Sequence, residues 1–400
     1  MSNDLERLIR ESLRRRAESV WPPEPGARRA GSWRWERPGR RIAAAIVALG
    51  LAAGGFALVL VALGPNKVPT ATNQPATRDA SVVRAEVGAT IPTQGEAVSV
   101  SSGPLGVWLA IPERDPAAPC SGAIERIDPA TNTVTDTFDI DGTPTAIMDD
   151  ADLVWVAAQS CVAGELPSLL ALAPSDGHVI ASVKLPVTNG VAFDLDESEG
   201  TIWMAIADVN TDRGAVLGID EATREVVHNF PVDGRLRDIS VTQSGIWVID
   251  DMFQRTALIH LDEANGSSAR LFDGRVDVRS RFALAGAPAG VWVSLGTEGA
   301  SLVDQDGTTV TGPYVVPGGF GPFAADEAGV WFWGLDMTSN EQVIGWLDAP
   351  TGDVRVGVPL PDAPTAAAVD ANSVWVALSG GGVSRVDFET RAVGDDGAEP

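Results

Sequence analysis

The sequence contains few of the residue types from which most metal and nucleophilic sites are built. Its 400 residues include three histidines and two cysteines. It has no His-x-x-Glu-His cluster, no nucleophile elbow and no glycine-rich phosphate loop. Two cysteines exclude a disulfide-rich scaffold and leave room for one disulfide. These shortages disfavour catalysis, so we predict no catalytic residue and assign no metal ligand.

Positive charge is also scarce, except at the N-terminus. The chain has a net charge of −25, yet residues 1–41 hold 11 arginines against 6 acidic residues, a net of +5. Residues 80–400 hold 16 basic and 47 acidic residues, a net of −31. Such asymmetry requires a membrane or a nucleic acid at the basic end. The apolar segment that follows predicts a membrane span, and a basic flank beside such a span needs no further explanation. We therefore predict no nucleic-acid partner.

Residues 42–63 form a long apolar run. These 22 residues carry no charge, and a helix of that length, at ~1.5 Å per residue, covers the ~30 Å hydrocarbon core of a bilayer. The charged segment before it is too long for a cleaved signal peptide. We predict an uncleaved signal anchor in the lipid bilayer, with late cleavage or a buried core helix as alternatives. The flanking arginines place the N-terminus in the cytoplasm and the rest outside the cell membrane.

The first twenty residues are predicted to form a short helix, because Leu5, Leu8, Ile9 and Leu13 recur at helical spacing. This helix either docks a cytoplasmic partner or lies on anionic lipid.

The predicted domains are a basic cytoplasmic arm (1–41), a transmembrane helix (42–63), a flexible linker (64–80), a repeated domain (81–393) and a disordered tail (394–400).

The domain from residue 81 onward is built from a repeat centred on tryptophan. A short apolar run with a central Trp recurs at intervals of 39 to 48 residues. Periods of this size are typical of solenoids, propellers or arrays. We expect these rings to pack between repeats rather than to bind a ligand. The seven residues are Trp108, Trp155, Trp203, Trp247, Trp292, Trp331 and Trp375.

Each repeat reads as four short antiparallel strands, which predicts an all-β, seven-bladed β-propeller. An aspartate ends the third strand in six repeats and is expected to shape the following turn. The last repeat has three good strands, and the leading strand Val82–Thr90 belongs to no repeat. We predict that this strand completes the last blade and closes the ring. An open β-sandwich array is the alternative.

The motifs Gly-x-Val-Trp-Val-Ala and x-Arg-Ile-Asp-Pro-Ala-Thr-x-x-Val resemble the bacterial propellers of the YVTN, NHL and virginiamycin-B-lyase-like group. The resemblance covers residues 81–393 and implies a propeller fold that hosts many activities. With the basic arm and single span, the chain resembles membrane-anchored propellers of high-GC bacteria. The lyases of this group are expected to use a loop histidine with magnesium. The positions of His178, His228 and His260, on a turn and in strands, do not match such a residue.

Ligands of propellers usually bind on loops at the mouth of the central channel, and here the loops after the Trp strands vary most in length. Their polar and aromatic residues could bind a cation or a basic ligand. The candidate ligand-binding residues are Asp208, Asp212, Asp250, Asp251, Phe253, Arg255 and Asp336.

One segment partly matches a calcium loop. Asp194-x-Asp196-x-Ser198-x-Gly200 places oxygen ligands at alternate positions, but no carboxylate follows five or six residues later. The cofactor is therefore unknown, with a divalent cation as the one candidate.

Both cysteines follow a Trp strand in neighbouring repeats, which places them on adjacent loops of one face. Cys120 and Cys161 are therefore predicted to form a disulfide outside the cytoplasm.

These observations favour a membrane-anchored extracytoplasmic propeller that binds or senses a ligand or a protein or glycan partner. The alternative is a metal-assisted lyase or hydrolase of the virginiamycin-B-lyase-like group. Signal transmission through the helix in residues 1–20 is a third hypothesis.

Overall fold

The computed structural model describes residues 82–391 apart from short gaps, at 115–119, 121, 151, 163, 188–189, 209, 212, 253–254, 275–282, 295–298, 309, 315, 317–320, 337–338 and 350. The predicted arm, spanning helix, linker and tail lie outside these residues. Among the described residues, no helix has the length and the apolar character that a bilayer span requires.

The described chain forms 28 β-strands arranged in seven four-stranded antiparallel sheets, which confirms the predicted all-β, seven-bladed propeller. Blades one to six take four consecutive strands each, from β2 to β25. The strands are β1 (Val82–Ile91), β2 (Ser99–Gly103), β3 (Gly106–Ile111), β4 (Ala123–Asp128), β5 (Thr133–Asp139), β6 (Thr143–Asp150), β7 (Leu153–Gln159), β8 (Ser168–Leu172), β9 (Val179–Lys184), β10 (Gly190–Ser198), β11 (Thr201–Asp208), β12 (Arg213–Asp220), β13 (Glu225–Asp233), β14 (Leu236–Thr242), β15 (Gly245–Met252), β16 (Arg255–Leu261), β17 (Ser268–Gly274), β18 (Leu284–Ala287), β19 (Gly290–Ser294), β20 (Ala300–Asp304), β21 (Val310–Tyr314), β22 (Gly321–Ala325), β23 (Gly329–Asp336), β24 (Glu341–Asp348), β25 (Val354–Pro359), β26 (Pro364–Val369), β27 (Ser373–Leu378) and β28 (Val383–Arg391).

The seventh blade is closed by the first strand of the domain. Its sheet order is β1-β28-β27-β26, and Val82 pairs with Arg391 at one end of the contact while Ile91 pairs with Val383 at the other. Strand β1, which belongs to no repeat, therefore completes the last blade, as predicted. We call it the closing strand. Joining the first and last described strands in one sheet covers an edge that would otherwise be free to pair with another molecule.

The burial pattern of each blade follows its position between two others. All six residues of β3 and all six of β27 are buried, because both faces of these strands pack against other side chains. In the outermost strand β13, exposed and less exposed residues alternate. The seven repeat tryptophans are at most 3% exposed and lie in the clusters between blades.

The antiparallel order gives the ring two distinct faces. We call the loop face the side that carries the connections between second and third strands and between successive blades. The turn face carries the turns between first and second strands and between third and fourth strands. Strand β1 begins and strand β28 ends on the turn face, so the described chain both starts and stops there.

Candidate functional site

The first strands of the seven blades stand side by side around a central channel, each in contact with the next and β26 in contact with β2. The channel holds a cavity of about 720 Å³, a volume within the range of small-molecule sites. Glu199, Gln243 and Pro288 line its rim. All three lie in turns between first and second strands, so the cavity opens on the turn face.

Toward the loop face the channel leads to a second cavity of about 230 Å³. There the guanidinium carbon of Arg237 lies 4.6 Å from the ring centre of Phe193, a cation–π contact. The ring of Phe323 stacks on Trp333 with centroids 5.3 Å apart. Aromatic rings and a guanidinium group thus line this end of the channel.

Side-chain oxygens of one blade bind backbone N–H groups of the next blade's first strand. The Oγ atoms of Ser99 and Ser101, in the first blade, accept hydrogen bonds from Ile147 N at 3.2 Å and Asp149 N at 2.8 Å. The first strand is an edge strand of its sheet, and its inward N–H groups lack a partner strand. These oxygens satisfy them and hold neighbouring blades together.

Between the third, fourth and fifth blades, aspartates take over this role. Val241 N donates to Asp196 Oδ2 at 2.7 Å, and Leu284 N donates to Asp238 Oδ2 at 2.6 Å. Asp194 of the third blade and Asp238 of the fourth blade share a side-chain hydrogen bond. We call such a boundary between two neighbouring blades a seam. A hydrogen bond between two carboxyl groups needs a proton, so at least one of this pair is protonated while it forms.

Burial controls the ionisation of these carboxyls. It raises the pKa of Asp196 to about 7 against the hydrogen bonds from Val241 N and Glu197 N, which lower it. Burial likewise raises the pKa of Asp194 and raises that of Asp238 well above its ordinary value, and the charge of Asp194 raises the latter further. The seam between the third and fourth blades therefore holds protons that ordinary aspartates would have lost.

The opposite wall of the cavity is apolar and carries small side chains. Phe323, Ala324 and Ala325 come from β22, and Ala367 and Ala368 from β26. One wall thus offers carboxyl groups and the other offers methyl groups and a ring. A ligand with both a polar and an apolar side would match this division.

The structure describes the side chains of three of the predicted loop residues, Asp208, Asp250 and Asp336. The two carboxylate oxygens of Asp208 accept hydrogen bonds from Asn210 N and Thr211 Oγ1, which holds its own loop. Asp336 accepts a hydrogen bond from Ser339 N at 3.4 Å within its own loop. These carboxylates therefore already serve the loops that carry them.

Asp250 is 1% exposed and has a bracing role. It accepts a hydrogen bond from Arg235 N at 2.9 Å and contacts Arg270 Nη2 at 2.8 Å. Asp212 and Phe253 lie outside the described residues, as do the side chains of Asp251 and Arg255.

The segment considered as a calcium loop is part of a strand. Asp194, Asp196 and Ser198 belong to β10, and the first two direct oxygens to the fourth blade rather than around a common centre. Among the described residues, no three His, Cys, Asp or Glu side chains are grouped so that they could hold a metal ion.

The repeated aspartates that end third strands shape their turns. Asp128 Oδ1 accepts Ala130 N at 2.8 Å, and Asp262 Oδ1 accepts Ala264 N at 3.0 Å, in each case two residues further along. The backbone contacts lower the pKa of Asp128, as expected for a carboxylate held by N–H donors.

The disulfide is confirmed, since Cys120 and Cys161 are bonded between the loop-face connections of the first two blades.

The sequence patterns led us to consider Asp194 and Asp196 as part of a calcium loop and did not single out Asp238. A signal was present: the first strands β2, β18, β22 and β26 contain no acidic residue, whereas Val-Ala-Phe-Asp-Leu-Asp and Leu-Arg-Asp-Ile-Ser place acids inside such a strand. An acid in a strand that should be buried marks a group with a specific partner.

Comparison with known proteins supports the fold. No family model matches the chain, and no curated protein matches it significantly by sequence. The structure is similar to the Dos1 propeller (14% identity, 76% of this chain and 95% of that chain, TM-score 0.51) and to the computationally designed Ika8 protein (13% identity, 74% and 97%, TM-score 0.50). It is also similar to BamB from Moraxella catarrhalis (14% identity, 73% and 85%, TM-score 0.46).

At such identities the first two likenesses establish the propeller architecture, and the function has to come from the chemistry of the chain itself.

Proposed function

We propose that the protein is a membrane-anchored, extracytoplasmic β-propeller that binds a ligand or partner through its central channel. The uncharged run of residues 42–63, with arginines on its N-terminal side, supports the anchor and its orientation. The net charge of −31 over residues 80–400 suits a soluble domain outside the cytoplasm that attracts cationic groups.

The observation that carries the binding proposal is the cavity of about 720 Å³ with one carboxyl-bearing wall and one apolar wall. Its volume and mixed lining are those of a site that orients a ligand by a few polar groups and holds it by apolar contact. The cavity opens at the turn-face rim, where Gln243 stands.

The orientation is tested by labelling with a membrane-impermeant maleimide in intact cells. Cysteine is introduced at Ala264, which is exposed on a turn of the fourth blade, or at Ser2 in the arm. We expect labelling of the Ala264→Cys protein in intact cells and of the Ser2→Cys protein only after lysis. The reverse pattern overturns the proposed topology.

Binding in the channel is tested by photo-crosslinking from position 243 at the rim, with position 227 as the control. Val227 is 49% exposed on the outer strand β13. We expect a defined adduct from position 243 that disappears when Ala368→Phe fills the apolar wall. The same adducts from both positions, or an adduct indifferent to Ala368→Phe, would contradict channel binding.

A further inference from the structure

A buried carboxyl lies away from the channel, where the first blade meets the connection from the closing strand. Glu125 on β4 is 0% exposed. Its Oε1 accepts a hydrogen bond from Gln94 N at 3.1 Å, whereas its Oε2 is buried and has no protein partner among the described residues. Leaving a charged oxygen in this condition destabilises a protein unless something else contacts it.

Glu125 lines a cavity of about 340 Å³ at the outer side of the first blade. The other walls are the segment 92–94, which follows the closing strand, and residues 134–137 of the outer strand β5. The cavity is separate from the channel, because none of its lining residues belongs to a first strand.

Several of the donors that line this cavity are directed to acceptors of the protein itself. Thr93 Oγ1 donates to Gly95 O at 2.7 Å, and Thr135 Oγ1 contacts Asp136 Oδ2 at 2.8 Å. Gln94 Nε2 donates to Thr137 Oγ1 at 3.3 Å. The cavity therefore presents oxygen atoms and calls for a ligand that donates hydrogen bonds.

Arg114 does not meet this demand. The charge of Arg114 lowers the pKa of Glu125, but burial has the larger effect and raises it. Nη1 of Arg114 is bound to Asp139 Oδ1 at 2.6 Å, and Arg114 does not line the cavity.

We propose that this cavity binds a primary alkylammonium group, such as that of a lysine side chain. An ammonium group donates three hydrogen bonds from one charged point, which suits single acceptors arriving from different directions. A guanidinium group needs both oxygens of a carboxylate for its bidentate contact, and here Gln94 N occupies Oε1. A calcium ion needs several carboxylate or carbonyl ligands, whereas Glu125 is the one buried carboxylate in this lining.

The proposal goes beyond channel binding and does not depend on it. A partner that inserts a lysine here would contact the outer side of the first blade, while the channel stays open. Crosslinking from the channel rim and ammonium binding at Glu125 can therefore succeed or fail separately.

The test measures binding of n-butylammonium chloride to the full-length protein in detergent by isothermal titration calorimetry. Tetramethylammonium, a cation without N–H donors, and sodium chloride at equal ionic strength serve as ligand controls. Glu125→Gln removes the charge and keeps the shape and the contact to Gln94 N. We expect this variant to bind butylammonium at least about tenfold more weakly without a lower thermal midpoint, because it relieves a buried charge.

Two further variants complete the design. Glu86→Gln makes the same chemical change on an exposed position of the outer strand β1 and should leave the affinity unchanged. Thr137→Val removes an acceptor of the cavity and should weaken binding even if Glu125→Gln fails to fold. Equal affinity for tetramethylammonium, or unchanged affinity in both cavity variants, overturns the proposal.

A short peptide with one lysine distinguishes a partner from a free amine as the source of the ammonium group. If the peptide binds more tightly than butylammonium and its N-acetyl-lysine form does not bind, a partner's lysine is the ligand. If the peptide and the free amine bind equally, the ligand is a small amine. Binding of the acetylated peptide as tight as that of the lysine peptide would contradict ammonium recognition.

Discussion

Replacing Asp196 with asparagine tests whether the seam between the third and fourth blades depends on a protonated carboxyl. Asp196 Oδ2 accepts the N–H of Val241 at 2.7 Å, and burial raises its pKa to about 7. The asparagine keeps an oxygen for Val241 N and carries no charge at any pH. The Asp196→Asn protein should therefore lose one source of pH-dependent stability and keep its fold.

The size of the effect follows from the two pKa values. The folded value of about 7 and the ordinary value of 3.8 differ by about 3 pH units. Because the folded state holds the proton more tightly, this stabilisation is fully present below about pH 4 and is lost as the pH rises through 7. One unit corresponds to about 1.4 kcal/mol. The whole interval is thus worth about 4 kcal/mol, of which about 3 kcal/mol is lost between pH 5 and pH 8.

The assay is urea unfolding of the full-length protein in detergent at pH 5 and pH 8, followed by tryptophan fluorescence. The wild-type free energy of unfolding should fall between these two values. Asp194, Asp238 and Glu221 contribute in the same direction, since burial raises the pKa of each. In Asp196→Asn the fall should be smaller by about 3 kcal/mol.

Glu199→Gln is the matched control, because Glu199 is exposed on the next turn and the change also removes one negative charge. This variant should keep the wild-type dependence on pH. The reasoning is refuted if Asp196→Asn loses as much stability as the wild type between pH 5 and pH 8, or if Glu199→Gln flattens the dependence equally.

Three further predictions concern the core, the loops and metal ions. Ala287→Ser should raise the free energy of unfolding by about 1 kcal/mol, because Trp292 Nε1 is buried without a hydrogen-bond partner. In the preceding blade Trp247 Nε1 donates to Thr242 Oγ1, and Ala287 occupies the position that corresponds to Thr242. Equal urea midpoints of the variant and the wild type would contradict this prediction. Replacing Cys120 and Cys161 together by serine should cost about 4 kcal/mol by the chain-entropy relation for a separation of 41 residues, and dithiothreitol should shift the wild type to the same midpoint. The thermal midpoint in calcium, magnesium and EDTA separates the two functional hypotheses. A rise that depends on the metal would support the metal-assisted lyase or hydrolase, because a ligand bound by the folded state stabilises it, whereas equal midpoints would favour the binding propeller.

The architecture could be predicted from the sequence because its signals are local and repeated. A Trp strand flanked by turn residues fixes one central strand per repeat, and seven copies fix seven blades. The closing strand was predictable from arithmetic alone, since one strand was left over at the start and one was missing at the end. Two cysteines at similar positions in adjacent repeats likewise determined their pairing.

The candidate site was harder to predict because its contacts cross between repeats. Asp196 and Val241 are 45 residues apart, and Asp238 and Leu284 are 46 apart. No local pattern says which N–H group a carboxylate will meet at that distance. Asp194 and Asp196 instead suggested a calcium loop, because alternate oxygens in a loop and alternate side chains on one face of a strand have the same spacing.

Two kinds of side-chain oxygen, serine hydroxyls and aspartate carboxyls, accept N–H groups across the seams of the ring. Ser99 and Ser101 bind N–H groups of the second blade with hydroxyl oxygens, which stay neutral at every physiological pH. Asp196 makes the same contact to the fourth blade with a group that ionises near neutrality. Ionisation strengthens the single hydrogen bond but places a charge in a buried position, and burial is the larger effect on its pKa. A rise in pH therefore destabilises the seam between the third and fourth blades, at the carboxyl-bearing wall of the channel, whereas the hydrogen bonds accepted by Ser99 and Ser101 keep their strength.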